Sequence, residues 1–146
     1  MGPLARDDLI DNLYYQLSHL PKSYKTIYQR LEMQKPFFPI TVIEGSEEVW
    51  DEECFGPVFK LFKADTEHHA IKLANTGSFG LGGTVISESK GEKVMDKIRC
   101  GIGFVNGIPT SDPRYPTGGV HRSGYGRECG LEGYREFANA KTYYVN

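Results

Sequence analysis

The sequence predicts an α/β domain built on a parallel βαβαβ sheet with flanking helices. Three observations carry this expectation. From residue 57 to 106 three apolar, β-rich runs alternate with two helical stretches. Each of those stretches opens on a capping residue and closes near a glycine. Strands joined in this way pair in parallel, with right-handed crossovers and helices covering the sheet. At 146 residues the chain suits one domain, 1–146, with no linker dividing it, and such a chain buries roughly 70% of its unfolded surface.

Residues 4–19 read as an amphipathic helix. Leu9, Ile10, Leu13, Leu17 and Leu20 recur at helical spacing, Pro3 precedes the first turn, and Asp7 and Asp8 suit its positive end. Pro21 closes it. "SYKTIYQRLEMQKPFF" (23–38) alternates poorly and predicts only a weak strand, whereas "PITVI" (39–43) is a β-branched strand. "PVFKLFK" reads as a buried strand. "DTEHHAIKLANTG" reads as a helix capped by Asp65 or Thr66, with Gly77 near its end. "GGTVIS" (82–87) is the next strand. "SKGEKVMDKIRCG" is a helix in which Ser89 and Glu92 have capping-box spacing. "IGFVN" (102–106) is the third strand, and a glycine-rich loop, a short helix over 130–138 and the strand "TYYV" end the chain.

Composition narrows the function classes. A net charge of −2 gives no electrostatic case for nucleic acid or anionic membrane. No apolar run has the length of a membrane span, and the N-terminal residues lack a signal-peptide layout. Cys54, Cys100 and Cys129 form an odd set without CxxC spacing, which argues against disulfides and structural zinc and for a cytoplasmic setting. His68 and His69 are adjacent on a helix and point in different directions, so they make a poor metal pair. No metal site is expected.

"PTGGVHRSGYGRECG" (116–130) comes within one residue of the dinucleotide fingerprint G-x-G-x-x-G. That fingerprint works only where a strand turns directly into a helix whose N–H groups face the pyrophosphate. Here the preceding strand ends near Asn106, and a stretch holding Pro109, Pro113 and Pro116 intervenes. A sharply turning, packed loop is the better reading, with glycines allowing positive φ or close backbone approach.

Four ordered motifs carry a resemblance. "EECFGPVFKLFK" (52–63), "AIKLANTGSFGLGGTVIS" (70–87), "GFVNG" and the 116–130 loop resemble, in sequence order, the C-terminal portion of aldehyde dehydrogenases. "GPLARDDL" and "SDPR" (111–114) are similar to the succinate-semialdehyde dehydrogenase branch. The resemblance implies the C-terminal part of that family's catalytic domain. It also implies a parent reaction, the NAD- or NADP-dependent oxidation of a small aldehyde to the acid, with succinate semialdehyde as the substrate.

What it implies for single residues is specific. Glu53 matches the glutamate that takes the nicotinamide ribose hydroxyls, and Phe55 the aromatic packed near the nicotinamide. Ser111 is a candidate for an acid-recognising pocket. Thr117 stands where the family has a substrate-side phenylalanine, and His121 replaces a lysine. Thr142, Tyr143, Tyr144 and Val145 match the oligomerisation strand (141–146), which implies a homo-oligomer or docking onto a full-length relative. The family's Rossmann domain, nucleophilic cysteine and general-base glutamate have no counterpart in the sequence. No catalytic residue is therefore assigned, and the chain alone is expected to bind no cofactor and to be inactive. In a complete natural product these departures would suit release from catalytic demands; in a shortened chain they leave the substrate class open.

Overall fold

The computed structural model describes residues 2–30, 34–45 and 49–146. The chain divides into two compact units, Met1–Leu73 and Ala74–Asn146, with the boundary inside a helix rather than in a linker.

The first unit opens with α1 (Asp7–Ser18). The helix starts later than its apolar pattern because Arg6 is the N-cap in extended conformation, φ −150° and ψ 151°. The Arg6 side chain is engaged by the Asp8 carboxylate at 2.7 and 2.8 Å and caps nothing. Asp7 and Asp8 occupy the first turn, where the helix dipole favours negative charge. One face buries Ile10, Leu13 and Gln16. Ile10 and Leu13 form the core with Phe38, and Leu4, Leu17, Cys54 and Val58 pack around them.

Beside this core lies a three-stranded sheet of β1 (Lys25–Gln29), β2 (Thr41–Gly45) and β3 (Val58–Phe62). β1 runs antiparallel to β2, with a bulge between Thr26 and Tyr28, and β2 runs parallel to β3. The weak strand expected over 23–38 contracts to β1, whose residues are all exposed. Its residues 31–33 lie outside the described residues. The expectation of a buried strand at 57–63 is corrected. Phe59 and Leu61 are about half exposed, and the phase of Val58, Lys60 and Phe62 is the more covered one.

Helix α2 (Glu67–Ala74) runs across the unit boundary. Its N-cap is Thr66, whose Oγ1 accepts the His69 N–H at 3.1 Å. The second unit holds β4 (Phe79–Gly80), β5 (Gly82–Val85), α3 (Gly91–Met95), β6 (Ile102–Val105), β7 (Val120–His121) and α4 (Gly130–Glu136). β5 and β6 pair in parallel over four residues with α3 between them, which is the crossover the sequence predicts. β4 and β7 form a two-residue antiparallel ladder that no sequence signal announces.

The expected single parallel βαβαβ sheet is thus corrected to three sheets of mixed direction, β1–β2–β3, β4–β7 and β5–β6. β3 takes β2 as its parallel partner, and the second unit's strands are short where glycine replaces a β-forming side chain. The capping box at α3 does not form. The helix starts at Gly91 with Lys90 as N-cap, and the Ser87 hydroxyl accepts the Lys90 N–H at 3.1 Å. Residues 139–146, including the predicted strand, carry neither helix nor strand in the single chain. Among the described residues, every buried hydrophobic side chain belongs to the first unit.

Candidate cofactor and substrate site

The Trp50–Cys54 segment of the first unit is held by side chains from three elements. Just ahead of β1, Tyr24 accepts the Trp50 N–H on its hydroxyl at 2.6 Å, and the two rings meet edge-on with centroids 6.1 Å apart. On β3, the Lys60 ammonium donates to the Trp50 carbonyl at 2.9 Å and to the Glu52 carbonyl. It also lies 4.3 Å from the Trp50 ring centroid, a cation–π contact. On α1, the Gln16 amide Nε2 donates to the Glu52 carboxylate and to the Glu53 carbonyl, both at 3.1 Å.

Two ionisable groups register this environment. Burial pulls the Lys60 ammonium below the usual lysine range, against the opposing pull of Cys54, Asp51, Glu52 and Glu53. Burial pushes the Cys54 thiol up, and the nearby Lys60 charge offsets this only in part. Cys54 is therefore a protonated thiol at neutral pH, the opposite of an activated nucleophile. Gln16 is 8% exposed, and its Oε1 is buried without a partner among the described residues. Such an oxygen costs about 1–3 kcal/mol.

Glu53 is exposed on this segment and Phe55 just beyond it, Phe55 at 61%. A carboxylate on a fixed backbone suits a vicinal diol, since its two oxygens accept two hydroxyl hydrogen bonds. An exposed aromatic two residues on offers a flat apolar face to a ring.

Ser111 and Thr117 lie in the second unit. Thr117 is buried and bonded through its backbone in both directions to Glu128, N to O at 2.7 Å and O to N at 2.8 Å. It lines an open depression of about 410 Å³ with Gly118, Ser123, Tyr125, Arg127 and Phe137. Ser111 is exposed and lies outside that lining; beside it Asp112 and Arg114 form a 2.6 Å ion pair.

The glycines of the 116–130 loop have a geometric reason. A side chain at Gly101 would collide with the Gly118 carbonyl, so the loop lies directly on the end of the preceding turn. Gly130 has φ +58°, a left-handed conformation, with the Pro116 backbone nitrogen against the position a Cβ would take. Arg127 is spent on the loop itself, donating to the Gly119 and Gly126 carbonyls at 2.8 Å each. The Ser123 hydroxyl accepts the Gly80 N–H at 2.9 Å. These contacts describe a packed turn.

Cys100 and Cys129, like Cys54, are half-buried free thiols. Among the described residues no group of three or more His, Cys, Asp or Glu side chains could hold a metal, and no helix is long and apolar enough to cross a membrane. The sequence reading missed Gln16, Tyr24 and Lys60, although Gln16 carries a visible signal as a polar residue in phase with Ile10 and Leu13.

Residues 1–143 match the aldehyde dehydrogenase family, and the chain belongs to that family. A succinate-semialdehyde dehydrogenase [NADP(+)] of Mycobacterium tuberculosis (strain H37Rv) is 36% identical, covering 99% of this chain and 34% of that protein. The succinate semialdehyde dehydrogenase [NAD(P)+] Sad of Escherichia coli K12 is 34% identical, over 97% of this chain and 32% of its own length. Among solved structures, the succinic semialdehyde dehydrogenase of Streptococcus pyogenes in complex with NADP+ superposes with TM-score 0.81 at 33% identity, covering 98% of this chain and 33% of that one. The betaine aldehyde dehydrogenase of Staphylococcus aureus in complex with NAD+ gives TM-score 0.85 at 29% identity, covering 94% and 30%. The chain spans about a third of the length of these relatives.

Proposed function

We propose that the chain serves as the C-terminal segment of an NAD(P)-dependent aldehyde dehydrogenase that oxidises succinate semialdehyde to the acid. The observation that carries this reading is the ordered set of family motifs over nearly the whole chain, shared with relatives named for that substrate. In this reading Glu53 accepts the nicotinamide ribose hydroxyls and Phe55 packs against the nicotinamide. Thr117 and Ser111 shape the substrate side, with Thr117 removing an aromatic wall. A bound nicotinamide would supply the hydride acceptor. The chain by itself holds none of the groups assigned to bond making, so it is inactive alone. Incubation with succinate semialdehyde and NAD or NADP tests this: protein-dependent NAD(P)H at enzyme-like rates would overturn it.

A second reading is favoured by the exposure of Tyr143, Tyr144 and Val145, at 76%, 92% and 85%. Here residues 141–146 add as a strand to another copy or to a full-length relative, and the chain is a non-catalytic docking module. Size-exclusion before and after deletion of 141–146 tests it. A monomer in both cases would rule out self-association and count against this reading.

A further inference from the structure

We propose that Gln16 and Lys60 are positioning residues for Glu53, together fixing the short segment that presents its carboxylate. The inference rests on the reading of Glu53 as the acceptor for the nicotinamide ribose diol.

Among the described residues, every hydrogen bond from the two side chains goes to the segment Trp50–Glu53. Lys60 Nζ takes the Trp50 and Glu52 carbonyls, while Gln16 Nε2 takes the Glu52 carboxylate and the Glu53 carbonyl. The segment has no regular secondary structure of its own. Its backbone oxygens are therefore held by side chains rather than by a ladder. Both residues sit where sequence patterning favours an apolar side chain. Gln16 continues the buried face of Ile10 and Leu13, and Lys60 occupies the covered phase of β3. An apolar residue at position 16 would join the core formed by Ile10 and Leu13 and leave no orphan oxygen, so Gln16 is explained by its donors rather than by packing. Holding Glu53 in one geometry reduces the ordering that accompanies diol binding.

The test compares Gln16→Met, Gln16→Glu and Lys60→Met with the parent chain by backbone ¹⁵N relaxation over residues 50–54, with Ile43 on β2 as the reference for the intact fold. Order parameters near the rigid value of about 0.85 are expected in the parent, dropping below about 0.6 in Gln16→Met and Lys60→Met. Gln16→Glu is the discriminating variant, because it keeps the volume and makes donation conditional on protonation. It should leave the segment ordered at acid pH and mobile once the introduced carboxyl ionises against Glu52. A role in packing alone predicts no such pH dependence. Unchanged order in both donor-free variants, or pH-independent order in Gln16→Glu, overturns the proposal. The diol reading is tested separately by joining the chain to the remaining portion of a succinate-semialdehyde dehydrogenase and measuring the Kd for NADP with and without Glu53→Gln. A weaker Kd in Glu53→Gln supports the role of Glu53, and an unchanged Kd refutes it, whatever the relaxation data say of Gln16 and Lys60.

Discussion

Asn75 grips the turn that leads into β6 through Arg99. Its Oδ1 accepts the Arg99 backbone N–H at 2.8 Å, its Nδ2 donates to the Lys97 carbonyl at 2.7 Å, and its own carbonyl takes the Arg99 guanidinium. The asparagine of the "AN" motif is thus a structural brace within the second unit. Asn75→Ala removes two side-chain hydrogen bonds and should lower stability by about 1–2 kcal/mol. A lower urea midpoint with an unchanged slope is the expected readout.

Two glycines, one packed against the 116–130 loop and one within it, should respond very differently to alanine. A Cβ at Gly101 collides with the Gly118 carbonyl, a backbone atom that cannot rotate away, whereas a Cβ at Gly126 meets nothing within 4 Å. Gly101→Ala should cost about 3 kcal/mol or more, and Gly126→Ala should stay within about 0.5 kcal/mol of the parent. Thermal melts of the two variants make the comparison.

The Cys54 thiol should alkylate slowly at neutral pH. In a chain carrying Cys100→Ser and Cys129→Ser, the iodoacetamide rate should rise with a midpoint above the ordinary thiol value of about 8.5, since burial penalises the thiolate. The linked stability effect has a definite sign. A thiol raised in the folded state binds more protons than in the unfolded one, so this contribution holds at lower pH and is lost as pH climbs past the unfolded thiol value. Lys60 works the other way. Its lowered folded value means stability rises with pH as the ammonium deprotonates, below the unfolded lysine value.

Thr66→Ala should shorten α2 from its N-terminus. The hydroxyl is the acceptor for the His69 N–H, and loss of such a cap costs about 1 kcal/mol. Faster amide exchange at His69 than in the parent is the expected signature.

Helix periodicity was the most legible feature. Ile10, Leu13 and Leu17 announce α1, and Thr66 announces the start of α2, because both signals are local and each is satisfied within one or two turns. The capping box at Ser89 misled, since Ser87 and Asn106 compete for the same stretch. Asn106 Oδ1 accepts the Ser87 N–H and its Nδ2 donates to the Ser87 carbonyl, both at 2.8 Å. Strands of two residues, β4 and β7, have too few positions to show alternation. The sheet partners of β3 depended on β2, a long-range choice that βαβ patterning does not encode. Of the candidate site, Glu53 and Phe55 were readable only through a family motif, and their supports were hidden. Lys60 looked like an interruption in an apolar run, because nothing local shows that its ammonium reaches two carbonyls eight and ten residues earlier.

The cation over Trp50 gives the chain a built-in optical signal. Trp50 is its single tryptophan, so indole emission comes from one ring beside Lys60 and the Tyr24 hydroxyl. A disturbance of the Lys60 and Tyr24 contacts to this ring should therefore be visible without a label, by quenching or spectral shift in a cuvette.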